Sequence, residues 1–138
     1  MKFNGKKIII FDDDEDILSV CTYVLEEQGW DVTVFTDCNQ IIEKVSNIMP
    51  DVILMDNWIP DEGGVKATRQ IKNDFTLRSI PVIFFSANDR VQELAAEAGA
   101  EFYLQKPFEI EELDTALSKA IAIYNETAIR ESSHSHPS

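Results

Sequence analysis

The chain predicts a doubly wound α/β fold, one parallel sheet covered by helices on both faces, and three observations carry that prediction. Five short runs rich in β-branched and aromatic residues punctuate the sequence: 8–11, 31–35, 52–55, 82–85 and 101–104. Between them lie stretches whose apolar positions recur at helical spacing, and strands alternating with helices imply parallel pairing through crossover helices. Four of the runs end on polar residues, namely Asp12 with Asp13, Asp56, Ser86 and Lys106. In such a fold the carboxyl ends of parallel strands meet at one edge of the sheet, where ligands bind.

Each element has its own justification. Ile8 to Phe11 is continuously apolar, as expected of a strand buried on both faces. From Asp14 to about Gln28 the positions Ile17, Leu18, Cys21, Val24 and Leu25 form one helical stripe, and Gly29 supplies the stop. Asp31 to Phe35 reads as a strand. Asp37 followed by Gln40 resembles a capping box opening a helix with Ile41, Ile42, Val45 and Ile48 on one face.

Pro50 ends that helix, and Val52 to Met55 runs to Asp56. Asn57 to Gly64, with Pro60, Gly63 and Gly64, is a loop. A helix follows over Val65 to Asn73, then a strand from Pro81 to Ser86 in which proline takes the tolerated first position. Asp89 with Gln92 is expected to cap a fourth helix ended by Gly99, with Val91, Leu94, Ala95 and Ala98 as its apolar stripe. Glu101 to Leu104 is a short strand. The last helix is expected from about Ile110 to Tyr124, facing Leu113, Leu117, Ala120, Ile121 and Tyr124 inward. Residues 1–124 then form one domain with its core at about 6–124, and residues 125–138 a helix extension and polar tail.

The 138 residues carry 25 acids and 12 bases, a net charge of −13 that disfavours direct contact with nucleic acid. A bound cation or a basic partner surface suits it better. The apolar run that leads into Asp12 is only four residues long, too short for a signal peptide or membrane span, so a cytoplasmic address without membrane insertion is expected. Cys21 and Cys38 have no metal-binding or redox spacing and are expected as free thiols. His134 with His136 reads as tail, and Asn125-Glu126-Thr127 matches a glycosylation pattern that is irrelevant without secretion.

The chemistry lies at the strand ends. Adjacent Asp12 and Asp13 offer Mg²⁺ one direct carboxylate and one through water, since that ion keeps several of its waters. Asp14, Glu15 and Asp16 suit the positive end of a helix dipole. An EF-hand fails, because Ile17 and Tyr23 occupy the positions that need Gly and Glu. Asp56, ending the most apolar strand, is costly to bury unpaired and beside a metal can attack phosphorus. Ser86 can donate to a phosphoryl oxygen, and Lys106 can pair with Asp56.

Together, Asp-Asp after strand one, Asp-x-x-apolar-Pro-x-x-Gly-Gly after strand three, Ser-Ala after strand four and Lys-Pro-Phe after strand five resemble the receiver domain of two-component response regulators. The resemblance spans about residues 6–124 and implies a flavodoxin-like (βα)5 fold with strand order 2-1-3-4-5. It makes Asp56 the phosphoacceptor, served by a sensor histidine kinase or a histidine phosphotransfer protein. It implies Mg²⁺ (or Mn²⁺) held directly by Asp13, Asp56 and the backbone carbonyl of Trp58, with Asp12 acting mainly through water. Ser86 and Lys106 would grip the phosphoryl oxygens, a cis bond would precede Pro107, and Tyr103 would act as an aromatic switch. The surface of helix 4, strand 5 and helix 5 would report the state to a downstream protein, with homodimerisation through the same face possible in the family.

The sequence departs from the commonest pattern at Ser86, where Thr is more frequent, at Gly63, where Asp often stands, and at Trp58. Trp58 and Asn88, each two residues beyond a pocket residue, are expected to set the lifetime of the phosphorylated state. Such a protein is not an enzyme beyond its own phosphorylation and slow autodephosphorylation. Two rival readings are a docking module that is never phosphorylated and an Asp-nucleophile phosphatase of the haloacid-dehalogenase type. The latter needs a further acidic pair after its lysine, for which only Glu109, Glu111 and Glu112 are available.

Overall fold

The structure, a computed structural model, describes residues 3–59 and 63–134, with side chains described to residue 123. Strands β1 (Lys7–Phe11), β2 (Asp31–Phe35), β3 (Val52–Asp56), β4 (Val82–Ser86) and β5 (Phe102–Gln105) alternate with helices α1 (Glu15–Glu27), α2 (Ile41–Ile48), α3 (Gly64–Asn73), α4 (Val91–Ala98) and α5 (Ile110–His134). The strands form one sheet in the order β2-β1-β3-β4-β5, and all four pairings are parallel.

Side chains of a strand alternate between faces, and that period divides the core in two. Ile9, Phe11, Ile53, Met55, Val82 and Phe84 pack beneath α2, α3 and α4. Ile8, Ile10, Val52, Leu54, Ile83 and Phe85 pack on the opposite face against Leu18, Cys21 and Leu25 of α1 and Leu113, Leu117 and Ala120 of α5. The central strands β1, β3 and β4 are therefore apolar at nearly every position, whereas edge strands β2 and β5 are partly exposed. The stripe of α4 is core, since Val91, Ala95 and Ala98 are buried and only Leu94 is partly open.

Helix entry differs from the expectation in two places. Asp14 does cap α1, accepting from the backbone N–H of Asp16 at 2.9 Å and of Ile17 at 3.3 Å. Asp37, however, caps nothing. Its Oδ1 accepts from Asn39 N–H and from Lys44 Nζ, and α2 begins behind Gln40, which holds a left-handed backbone at φ 54°. Asp89 likewise leaves the start of α4 unfilled, because Asn88 Oδ1 takes the Arg90 N–H at 2.8 Å while Asp89 lies 3.4 Å from Gln105 Nε2. Pro81 precedes β4 by one residue, needing no N–H there, and its carbonyl accepts from Ile53 N–H at 3.0 Å. Pro60 lies outside the described residues, as do the side chains of Tyr124, His134 and the Asn125-Glu126-Thr127 triplet, and all of His136. No described helix is long and apolar enough to cross a membrane.

Where α3 begins, Gly64 lies close against the end of β3. A methyl group on Gly64 would collide with the backbone carbonyl of Asp56, which is main chain and cannot swing aside. The Gly64 N–H also donates to the Asn57 carbonyl at 3.0 Å, closing the loop beneath Asp56. We therefore expect Gly64→Ala to destabilise the fold by about 3 kcal/mol, the upper end for overpacking, read as the midpoint of urea unfolding. Gly5→Ala, where a methyl meets nothing within 4 Å but the backbone holds φ +82°, should cost only about 1 kcal/mol.

Candidate functional site

Strand register converts four separate chain segments into one site. Phe11 pairs with Met55, so the next residues, Asp12 and Asp56, stand side by side. Asp56 pairs with Phe85 and Ser86 with Gln105, which sets Ser86 and Lys106 one step further along the same edge. The Lys106 N–H donates to the Ser86 carbonyl at 2.8 Å, extending the ladder by one bond. The peptide bond between Lys106 and Pro107 is cis.

Alternation decides which acid of the Asp12–Asp13 pair faces inward. Asp12 is fully buried and Asp13 is exposed. The Asp12 carboxylate accepts from Asp14 N–H at 2.9 Å and from Lys106 Nζ at 2.7 Å, so both of its oxygens are engaged. Lys106 also donates to Asp56 Oδ1 at 3.1 Å. The sequence pointed to Asp56 as the lysine's partner, and the shorter contact is with Asp12. Beneath the ammonium lies the Phe85 ring, its centroid 4.5 Å away, a cation–π contact in a partly desolvated place. The sequence reading missed Phe85, whose only sign was an aromatic residue immediately before Ser86.

These contacts set the electrostatics. Burial raises the Asp56 carboxyl to about 6, and the negative charges of Asp12 and Asp13 add to that rise, with Lys106 acting against it. Burial by itself would lower Lys106, but its hydrogen bond to Asp12 and the charges of Asp56 and Asp12 outweigh that and hold it above the ordinary lysine value. Asp12, Asp13 and Asp56 bring carboxylate oxygens within 4.8 Å of one another, a donor set that suits a hard divalent cation.

The remaining residues surround this centre. Ser86 is buried, and its Oγ accepts from Asn88 N–H at 3.1 Å. Trp58, 70% exposed, lines an open cleft of about 850 Å³ together with Asp13, Asn57, Lys66 and Asn88. Tyr103 on β5 is 46% exposed, its ring at the surface. The structure thus brings Asp12, Asp13, Asp56 and Lys106 together, with Ser86 at the neighbouring strand end, Trp58 and Asn88 lining the cleft beside Asp13, and Tyr103 at the surface.

A carboxyl whose folded-state value exceeds its unfolded one binds more protons in the fold, so stability falls as pH rises from about 4 to 6 through the two values. Without divalent ions, Asp56→Asn should therefore stabilise the chain at pH 8 by on the order of 2 kcal/mol. That advantage should shrink as the pH is lowered below the Asp56 value, in urea unfolding with EDTA present.

The chain matches the sequence profile of the response regulator receiver domain over residues 8–118. It is 31% identical over 126 residues to the alkaline phosphatase synthesis transcriptional regulatory protein PhoP of Bacillus subtilis, covering 90% of this chain and 51% of that protein. It is 30% identical over 110 residues to the DNA-binding response regulator MtrA of Mycobacterium tuberculosis, covering 78% and 47%. The chain thus spans about half the length of these curated relatives. Among solved structures, the receiver domain of a sensor histidine kinase of Pseudomonas aeruginosa, with a magnesium ion coordinated in its active-site cleft, superposes with a TM-score of 0.79 at 32% identity, covering 86% of this chain and 98% of that one. A solved structure from Chloroflexus aurantiacus matches at a TM-score of 0.80 and 23% identity over 85% of this chain and 98% of that one, which speaks for the fold. With its strand order, its helix alternation and its profile match in agreement, this chain belongs to the response regulator receiver domains of two-component signalling.

Proposed function

We propose that Asp56 accepts a phosphoryl group from a phosphohistidine of a sensor kinase or phosphotransfer protein. The observation that carries this is the Lys106 ammonium held between Asp12 and Asp56 at 2.7 and 3.1 Å, beside an acid cluster fit for a cation. An Asp56 carboxylate oxygen attacks phosphorus, the phosphorus–nitrogen bond of the donor breaks, and the imidazole leaves with the bonding pair. Lys106 would meet the charge on the equatorial oxygens, and Ser86 Oγ would donate to one of them. Phosphoryl transfer asks mainly for such positioning and charge neutralisation.

Asp13, Asp56 and the Trp58 carbonyl would hold Mg²⁺ (or Mn²⁺) directly, with Asp12 acting mainly through water. The ion would neutralise phosphoryl charge in the transition state. The Pseudomonas relative carries magnesium in its cleft, which supports this assignment. A phosphorylated Asp56 presents more strong acceptors than a carboxylate and favours the state in which Ser86 and Lys106 both reach them. In that state Tyr103 would turn inward, and the face of α4, β5 and α5 would change for a downstream partner. A cytoplasmic site of action accompanies this reading.

After incubation with acetyl phosphate and Mg²⁺, the intact mass should rise by one phosphoryl group in the parent and not in Asp56→Asn; an equal gain in both would refute the assignment. Trp58 and Asn88, at the mouth of the cleft, would govern entry of hydrolytic water. Trp58→Ala should then change phosphate loss by about tenfold, equivalent to about 1.4 kcal/mol in the barrier, whereas identical decay in parent and variant would remove Trp58 from that role.

A further inference from the structure

Strand β5 ends the sheet, pairing only with β4 among the described strands, so half of its backbone N–H and C=O groups face outward without a strand partner. Beside that edge runs a groove of about 490 Å³ between β5 and α5. Its lining is apolar at Phe102, Leu104 and Ala116 and acidic at Glu111 and Glu112, the latter's Oε1 accepting the Glu109 N–H at 3.0 Å, against a single base, Lys119. No ion pair joins Glu111 or Glu112 to a base among the described residues. Glu101, at the groove's end, is already spent: it pairs with Lys72 at 2.8 Å and accepts the Val82 N–H at 2.9 Å.

We propose that this groove takes an extended, lysine- or arginine-rich segment of a partner protein, which adds to the sheet beside β5. The inference rests on the receiver reading above and names the chemistry of the partner. Strand addition uses backbone bonds for affinity and alternate side chains for specificity. Here one set of alternate side chains would lie on the apolar lining, and the basic set would face Glu111 and Glu112. A second copy of this chain fits poorly, because it carries the same acid excess at the groove and a net charge of −13 overall. The groove also lies next to the switch. Gln105, the last residue of β5, pairs with Ser86, and the following Lys106 N–H donates to the Ser86 carbonyl.

The probe is an acetylated peptide of alternating lysine and valine, titrated into the ¹⁵N-labelled full chain, with an alternating glutamate and valine peptide as control. Saturable shifts of the β5 amides, absent with the control, are expected. Glu111→Lys removes a groove carboxylate, and Thr115→Lys adds a charge to the groove while keeping every carboxylate. Each should weaken binding by about tenfold. The same spectra report whether each variant is folded. No saturable shift at β5, an equal response to the glutamate peptide, unchanged affinity in both variants, or self-association of the chain that occludes the groove would each overturn the proposal. Mass gain at Asp56 in the same parent sample is read separately, so loss of the receiver reading and loss of the docking site give different results.

Discussion

Three carboxylates share one end of a parallel sheet, and one ammonium holds two of them. That electrostatic constraint explains more of this molecule than any other contact. Asp12 is buried completely, which is tolerable only because Lys106 and the Asp14 N–H occupy its oxygens. Lys106 can reach that position because β5 runs in register with β4 and because the Phe85 ring underlies its ammonium. Burial, reinforced by the charges of Asp12 and Asp13, raises the Asp56 carboxyl, and the excess of negative charge left at Asp13 and Asp56 readies the cluster for a cation.

The hydrophobic sheet is the frame for this arrangement. β1, β3 and β4 are buried on both faces and cannot slip without reversing every inward side chain. Their ends are therefore fixed relative to one another, and the polar residues that close them are fixed as well. Gly64 matters for the same reason, since only a hydrogen in place of a side chain lets α3 begin directly under the Asp56 carbonyl.

Much of this was legible in the sequence. The central strands announce themselves because burial on both faces demands unbroken apolar runs such as Ile8 to Phe11. The polar strand ends are legible because each apolar run stops abruptly at a residue that is costly to bury without a partner. Helix caps were less so: an Asp followed three residues later by Gln looks the same whether it caps a helix, as expected for Asp37, or makes a turn and an ion pair, as it does. The closer partner of Lys106 was hidden as well, since it depends on which of two neighbouring aspartates faces inward. The groove beside β5 has no sequence signal of its own, being made by the distance between a strand and a helix.

The acid cluster itself can be tested by thermal unfolding in EDTA and in millimolar Mg²⁺, on the parent and on Asp13→Asn. If the crowded carboxylates form a cation site, magnesium raises the melting temperature of the parent by mass action and does so far less in the variant. A parent whose melting temperature ignores magnesium would contradict the account at its root.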